Sequence, residues 1–133
     1  MTETCALCAR LATPPLLASD DLAAAFPDAF PLNPGHTLVV PRRHEPDYFA
    51  LTPDEQVAMW RLVNTVKDAL EARHHPQGYN VGINVGATAG QTIGHVHIHL
   101  IPRYAGDVDD PRGGVRLIIP ARARYWEAGD AGH

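Results

Sequence analysis

Gly90–Arg103 reads GQTIGHVHIHLIPR. Three histidines, His95, His97 and His99, are interleaved with Val96 and Ile98 and followed by Leu100 and Ile101. Alternation over this length predicts a β-strand, because residues two apart share a face. One face then carries imidazoles and the other buries aliphatics. Imidazole serves as nucleophile, proton carrier or metal ligand near neutral pH. A strand rises about 3.3 Å per residue, which sets the Cα atoms of His95 and His99 about 13 Å apart. A metal ion holds nitrogens at about 2.0–2.1 Å, so one ion gathers two of these neighbours but not all three from a straight strand. A division of labour along the strand follows.

Immediately upstream, GATAG (Gly86–Gly90) is a turn whose glycines let backbone N–H groups approach an anion closely. Gln91 and Thr92 add side-chain donors. The loop matches neither a Walker nor a dinucleotide fingerprint. Tyr79–Val85 reads as a strand entering it. Before that strand, Thr52-Pro53-Asp54-Glu55 is a capping box with proline at the first helical position, opening a helix from about Pro53 to Arg73. Met59, Trp60, Val63, Val66 and Leu70 form its apolar stripe, read as core packing. Pro76 and Gly78 end it. Further back, His36–Val40 is a strand stopped at Pro41 and followed by Arg42-Arg43-His44. Leu16–Ala18 and Leu22–Phe26 read as a hairpin, joined to that strand by the proline-rich Pro27–Gly35. Val115–Ile119 is a last apolar run, and the C-terminal tail lacks pattern and is expected to be loose. Strands, one long helix and more strands with short loops predict an α+β fold with antiparallel pairing. A length of 133 residues predicts one domain over 1–133.

The net charge of −4 argues against duplex nucleic acid as partner, but not against one small phosphate compound held by local donors. Apolar stretches fall short of the roughly 20 residues that cross a bilayer. No charged-then-apolar leader opens the chain, so the expected location is the cytoplasm, without a membrane partner. Cys5 and Cys8 are the two cysteines, spaced CxxC. In a reducing compartment that spacing marks a metal half-site or a redox pair. Structural zinc takes four ligands. His44 and His95, each where a strand begins or ends, are the candidates for the other two. His97 and His99 are then left for substrate. A pair of reduced thiols without metal is the alternative. His36 joins the cluster if its strand neighbours the histidine strand.

At these residues the chain resembles the histidine-triad (HIT) superfamily of nucleotide hydrolases and nucleotidyl transferases. The triad signature, three histidines separated by apolar residues, stands here as HVHIHLI. The likeness runs from CALC at Cys5 through PLNPGHTLVVPRRH and NVGATAGQT to Arg103, and GDVDDPRGGVRLIIP looks like the ending of many small bacterial members. The resemblance implies a five-stranded antiparallel sheet with one long helix, joined in a homodimer. It implies that His97 attacks the α-phosphorus, giving a nucleotidyl–histidine intermediate that water then cleaves. It assigns phosphate contacts to His36, His99, Asn84, Gln91 and Thr92, and the ribose to Asp28. It matches Cys5, Cys8, His44 and His95 to the ligands of zinc-binding bacterial relatives. Histidine rather than glutamine at the third triad position favours hydrolysis over transfer to a sugar phosphate.

The chemistry stands on its own terms: imidazole is a competent nucleophile toward phosphorus, and preorganised donors stabilise the developing phosphoryl charge. The expected activity is therefore nucleotide hydrolysis at the α-phosphate of dinucleoside polyphosphates or nucleoside phosphoramidates. Structural zinc is expected, with no organic cofactor and magnesium only as carried by substrate. Two other classes fit the residues. One is a nucleotide-binding adaptor whose hydrolysis is incidental. The other is a zinc module without a nucleotide role, which leaves His97, His99 and the glycine loop idle.

Overall fold

Five strands pair antiparallel in the order β1-β2-β3-β5-β4. They are β1 (Ala18–Ser19), β2 (Ala23–Pro27), β3 (Thr37–Pro41), β4 (Gly78–Ile83) and β5 (Ile98–Arg103), with helices α1 (Ala6–Leu11) and α2 (Pro53–His74). The structure, a computed structural model, describes residues 4–128. The chain forms two compact units, one running to Arg103 and one from Tyr104.

In the first unit α2 covers one face of the sheet. Thr52 and Glu55 form the reciprocal capping box, and His75 closes the helix in the left-handed region with φ 51°. Its buried stripe, Met59, Leu62, Val63, Val66 and Leu70, packs on Ala23, Ala25, Val39, Ile98 and Leu100. Trp60 departs from the expected core. It lies about 100° round the helix from Met59, stays 39% exposed, and donates its indole N–H to the Tyr48 hydroxyl. On the opposite face, α1 packs Leu7 and its N-cap Cys5 against Phe26, Leu38 and Val40. Two-sided cover is why β2 and β3 read as continuous apolar runs. β5 instead alternates buried and half-buried residues.

Two boundaries differ from expectation in a way that shapes the site. β5 begins at Ile98 rather than at His95. Residues 93–95 bend, and the Val96 N–H donates to the Glu45 carbonyl instead of to a neighbouring strand. The loop entering β3 turns at Gly35 (φ 90°), where an added Cβ would stand 3.0 Å from Leu70 and 3.1 Å from Pro102. Only glycine fits both that backbone and that space.

The second unit is built from short helical turns, Gly114–Ile118 and Tyr125–Ala128, around α3 (Pro120–Ala123). Arg112 lies over the Trp126 ring at 4.6 Å and forks onto Asp110. The apolar run at Val115–Ile119 is exposed. The last part of the tail expected to be loose lies outside the described residues.

Candidate active site and metal centre

The bend before β5 divides the histidines between two sites. His95 is fully buried and donates its Nε2–H to the Pro41 carbonyl at 2.8 Å. That leaves Nδ1 as a lone pair, 3.5 Å from the Sγ atoms of both Cys5 and Cys8. His44 Nδ1 stands 3.3 Å from Cys8 Sγ, and its ring meets that of His95 edge-on at 5.2 Å. All four ligand atoms lie within 4.8 Å of one another. Tetrahedral zinc with bonds of about 2.3 Å to sulfur and 2.0–2.1 Å to nitrogen separates its ligands by about 3.5 Å. The donor set therefore fits zinc. The carbonyl behind His95 is the outer partner that metal-bound imidazoles ordinarily have. Burial first, then the adjacent Cys5 thiol, pushes the Cys8 thiol above its ordinary value. A cation among the sulfurs reverses that tendency.

His44 reaches this position through contacts that sequence reading missed. Arg43 donates from Nε and Nη2 to the Glu55 carboxylate at 3.0 and 2.9 Å, and from Nη1 to Glu45 at 3.2 Å. Glu55 also accepts the Thr52 N–H, and the Glu45 carbonyl accepts the Val96 N–H. The segment carrying His44 is thus tied both to the start of α2 and to the histidine segment. The capping box was readable locally; its pairing with Arg43, twelve positions earlier, has no local signal.

The second site lies farther along the histidine segment. His97 is buried and donates its Nδ1–H to the His95 carbonyl at 2.9 Å, which leaves Nε2 as a lone pair. His99, in β5, lies between Leu38 and Gly82. Its ring stands 5.0 Å from that of His97 and 5.2 Å from that of His36. A Cβ at Gly82 would meet nothing within 4 Å, so space remains beside His99. Burial first, then the adjacent His97 and His36 rings, holds His99 down at about 4; the Asp28 carboxylate pulls the other way. Burial likewise lowers His36, again against Asp28.

Asp28 Oδ1 accepts the Phe30 N–H, and its Oδ2 lies 3.3 Å from His36 Nε2. The residue expected at the ribose therefore sits against the histidines. Asn84 directly follows the last ladder pair, Ile83↔Ile98. Asn84 is half-buried and Thr92 exposed, and among the described residues neither side chain is engaged in a hydrogen bond. Gln91, expected as a phosphate contact, is hydrogen-bonded to protein groups around its own loop. Its amide hydrogens go to the Pro46 and Ile93 carbonyls, and its oxygen accepts the Gly86 N–H. It shapes the Gly86–Gln91 loop and has no amide proton to spare.

A HIT domain family model matches residues 13–106. Over 89 residues the chain is 40% identical to a bis(5'-nucleosyl)-tetraphosphatase of Schizosaccharomyces pombe, covering 67% of this chain and 49% of that protein. It is 35% identical over 88 residues to an Arabidopsis thaliana bifunctional bis(5'-adenosyl)-triphosphatase/adenylylsulfatase, again covering 49% of it. These matches span about half the length of those two relatives. A HIT family protein from Bacillus anthracis superimposes with TM-score 0.74 at 35% identity, covering 80% of this chain and 78% of that one. A zinc-bound histidine triad family protein from Mycobacterium smegmatis superimposes with TM-score 0.72 at 29% identity, covering 96% and 99%. The chain belongs to the HIT domain family.

Proposed function

We propose that this protein is a nucleotide hydrolase that cleaves nucleoside phosphate conjugates at the α-phosphate, with His97 as nucleophile. The observation that carries the reading is the hydrogen bond from His97 Nδ1–H to the His95 carbonyl at 2.9 Å. In a neutral ring that bond commits the proton to Nδ1 and leaves Nε2 free to attack. Attack forms an N–P bond as the bond to the leaving group breaks. The positive charge then carried by the ring is stabilised by the same carbonyl. Water attacks phosphorus in the second step, the electron pair returns to Nε2, and the water's proton is released. His99 Nε2–H, Asn84 and the Thr92 hydroxyl supply donors to the phosphoryl oxygens, where charge develops. The named activities of the Schizosaccharomyces pombe and Arabidopsis thaliana relatives support a nucleotide substrate.

Cys5, Cys8, His44 and His95 hold zinc in this reading, and its role is structural. When bound, it would tie together the α1 N-cap, the His44 segment and the histidine segment. Strand β4, at the sheet edge, is where a second copy adds to form the homodimer. Sedimentation at micromolar concentration tests that pairing, and a monomer at all concentrations refutes it.

Rapid-quench mass spectrometry with a dinucleoside polyphosphate tests the chemistry. One nucleoside monophosphate is expected on the His97-containing peptide, and none in His97→Gly, which still binds nucleotide. Normal turnover by His97→Gly refutes the assignment.

A further inference from the structure

The second compact unit, from Tyr104 onward, is held together by polar contacts. Asp110 takes the fork from Arg112 and a further bond from Arg124. Arg116 donates to the Ala123 and Arg122 carbonyls, and its guanidinium lies 4.7 Å over the Tyr125 ring. Among the described residues of this unit, Ala123 alone is fully buried. The aliphatic side chains are turned outward instead. Val115 is 62% exposed, Ile118 77% and Ile119 51%. Beside them stands Arg122, also exposed. Among the described residues its guanidinium makes no hydrogen bond or ion pair, unlike those of Arg112, Arg116 and Arg124. From Pro111 to Trp126 the chain carries four arginines and no acidic residue. Contiguous uncovered aliphatics mark a surface that meets another protein, and the uncommitted cation says what charge that protein presents.

The first unit carries the opposite surface. A cleft of about 340 Å³ opens between the β1–β2 turn and the first turns of α2. Leu22 and Val57 give it apolar walls and remain 38% and 48% exposed. Asp20, Asp21 and Asp54 line it, against one cation, Arg61. Asp20 is committed, because its Oδ1 accepts the Leu22 and Ala23 N–H groups. The carboxylates of Asp21 and Asp54 make no hydrogen bond or ion pair among the described residues.

We propose that the Val115–Ile119 ridge seats in this cleft on a second copy of the chain, with Arg122 against Asp21 and Asp54. Apolar surface meets apolar surface, and an uncommitted guanidinium meets two uncommitted carboxylates, the pairing that gives charge-assisted hydrogen bonds. The second copy is the occupant because every copy carries both halves. Two copies related by a two-fold axis exchange ridges and leave neither half uncovered. The cleft adjoins β1, at the opposite edge of the sheet from β4. The contact is therefore separate from strand pairing through β4, and it does not depend on the hydrolase reading.

Charge exchange between copies tests this. Arg122→Asp and Asp21→Arg each set like charges against one another in the contact, which should weaken association by at least ~10-fold. Sedimentation equilibrium at low salt measures it, and far-UV circular dichroism checks that each variant folds. An equal mixture of the two variants is expected to recover association, because both ridge–cleft contacts between unlike copies then join opposite charges. Ile118→Asp, which sets a carboxylate against the apolar walls, should weaken association by a similar factor. Single variants that associate as well as wild type overturn the proposal. So does a mixture that associates no better than either variant alone, which places the ridge against its own chain or a foreign protein. A wild type that is monomeric throughout overturns it too. Pairing through β4 shifts the mass of wild type, variants and mixture alike, so its success or failure leaves the comparison readable.

Discussion

Glu55→Gln isolates the clamp that holds the His44 segment. Glu55 is 5% exposed and receives three hydrogen bonds, two from Arg43 and one from the Thr52 N–H. Its hydrogen bond to Arg43, the largest influence, pulls its carboxyl down to about 2 from an ordinary 4.5, against the opposing effect of burial. A depression of that size corresponds to about 3 kcal/mol if nothing screens it. Arg43 is 47% exposed, so water screens the pair, and about 1–2 kcal/mol is the expected stability loss at pH 7. The substitution keeps the shape and an acceptor for Thr52, but turns an N–H₂ toward the guanidinium. The sign with pH follows from the direction of the shift. A carboxyl depressed on folding stabilises the protein above its unfolded value and loses that contribution as pH falls through the folded one. Wild type and Glu55→Gln should therefore differ fully above about pH 5, by less than half as much near pH 3, and not at all near pH 1. Urea denaturation of both proteins across this range measures the difference. A gap under about 0.5 kcal/mol at pH 7, or one unchanged at pH 3, refutes the argument. Because Arg43 adjoins His44, the variant should also release zinc to a chelator faster than wild type.

Cys8→Ser should reduce zinc from one ion per chain to a trace by plasma emission analysis; an undiminished content argues against Cys8 as a ligand. Gly35→Ala forces a left-handed backbone and a 3.0 Å approach to Leu70 at once. It should lower stability by about 1–3 kcal/mol in thermal or urea melts, and a neutral effect would contradict the packing described. Gln91→Glu sets a carboxylate against the Pro46 and Ile93 carbonyls, so it should slow turnover more than Gln91→Ala does; equal effects would argue that Gln91 acts on substrate rather than on the loop. Met59→Ala opens a void beneath the sheet at a fully buried position and should cost about 2–5 kcal/mol, read by denaturant midpoint.

Much of the fold was readable because its signals are local. The Thr52–Glu55 cap, the stripe from Met59 to Leu70 and the glycine loop each declare themselves within a few residues. The Cys5, Cys8, His44 and His95 grouping was also anticipated, by counting ligands and asking which histidines stand at strand ends. What escaped depends on backbone groups far away in the chain. The alternation in HVHIH was read as one strand, but Glu45 takes the Val96 N–H, and the strand starts only at Ile98. Gln91 has the composition of an anion donor, and its hydrogen bonds to Gly86, Pro46 and Ile93 could not be read from its neighbours in sequence. Asp28 and His36 are eight positions apart, and nothing in their spacing shows that the Leu32 amide decides where the His36 proton sits. Trp60 has the hydrophobicity of a core residue, but its place at the flank of the stripe leaves it with Tyr48 instead.

One peptide unit carries two duties at once. The ring of His95 belongs to the cysteine cluster, while its carbonyl orients the ring of His97. Oxidising either thiol would change the size and charge of the group against the His95 ring, which stays tied to the Pro41 carbonyl. A disturbance at the sulfurs would then lie a single plane of atoms from the His97 ring, with no travel across the domain.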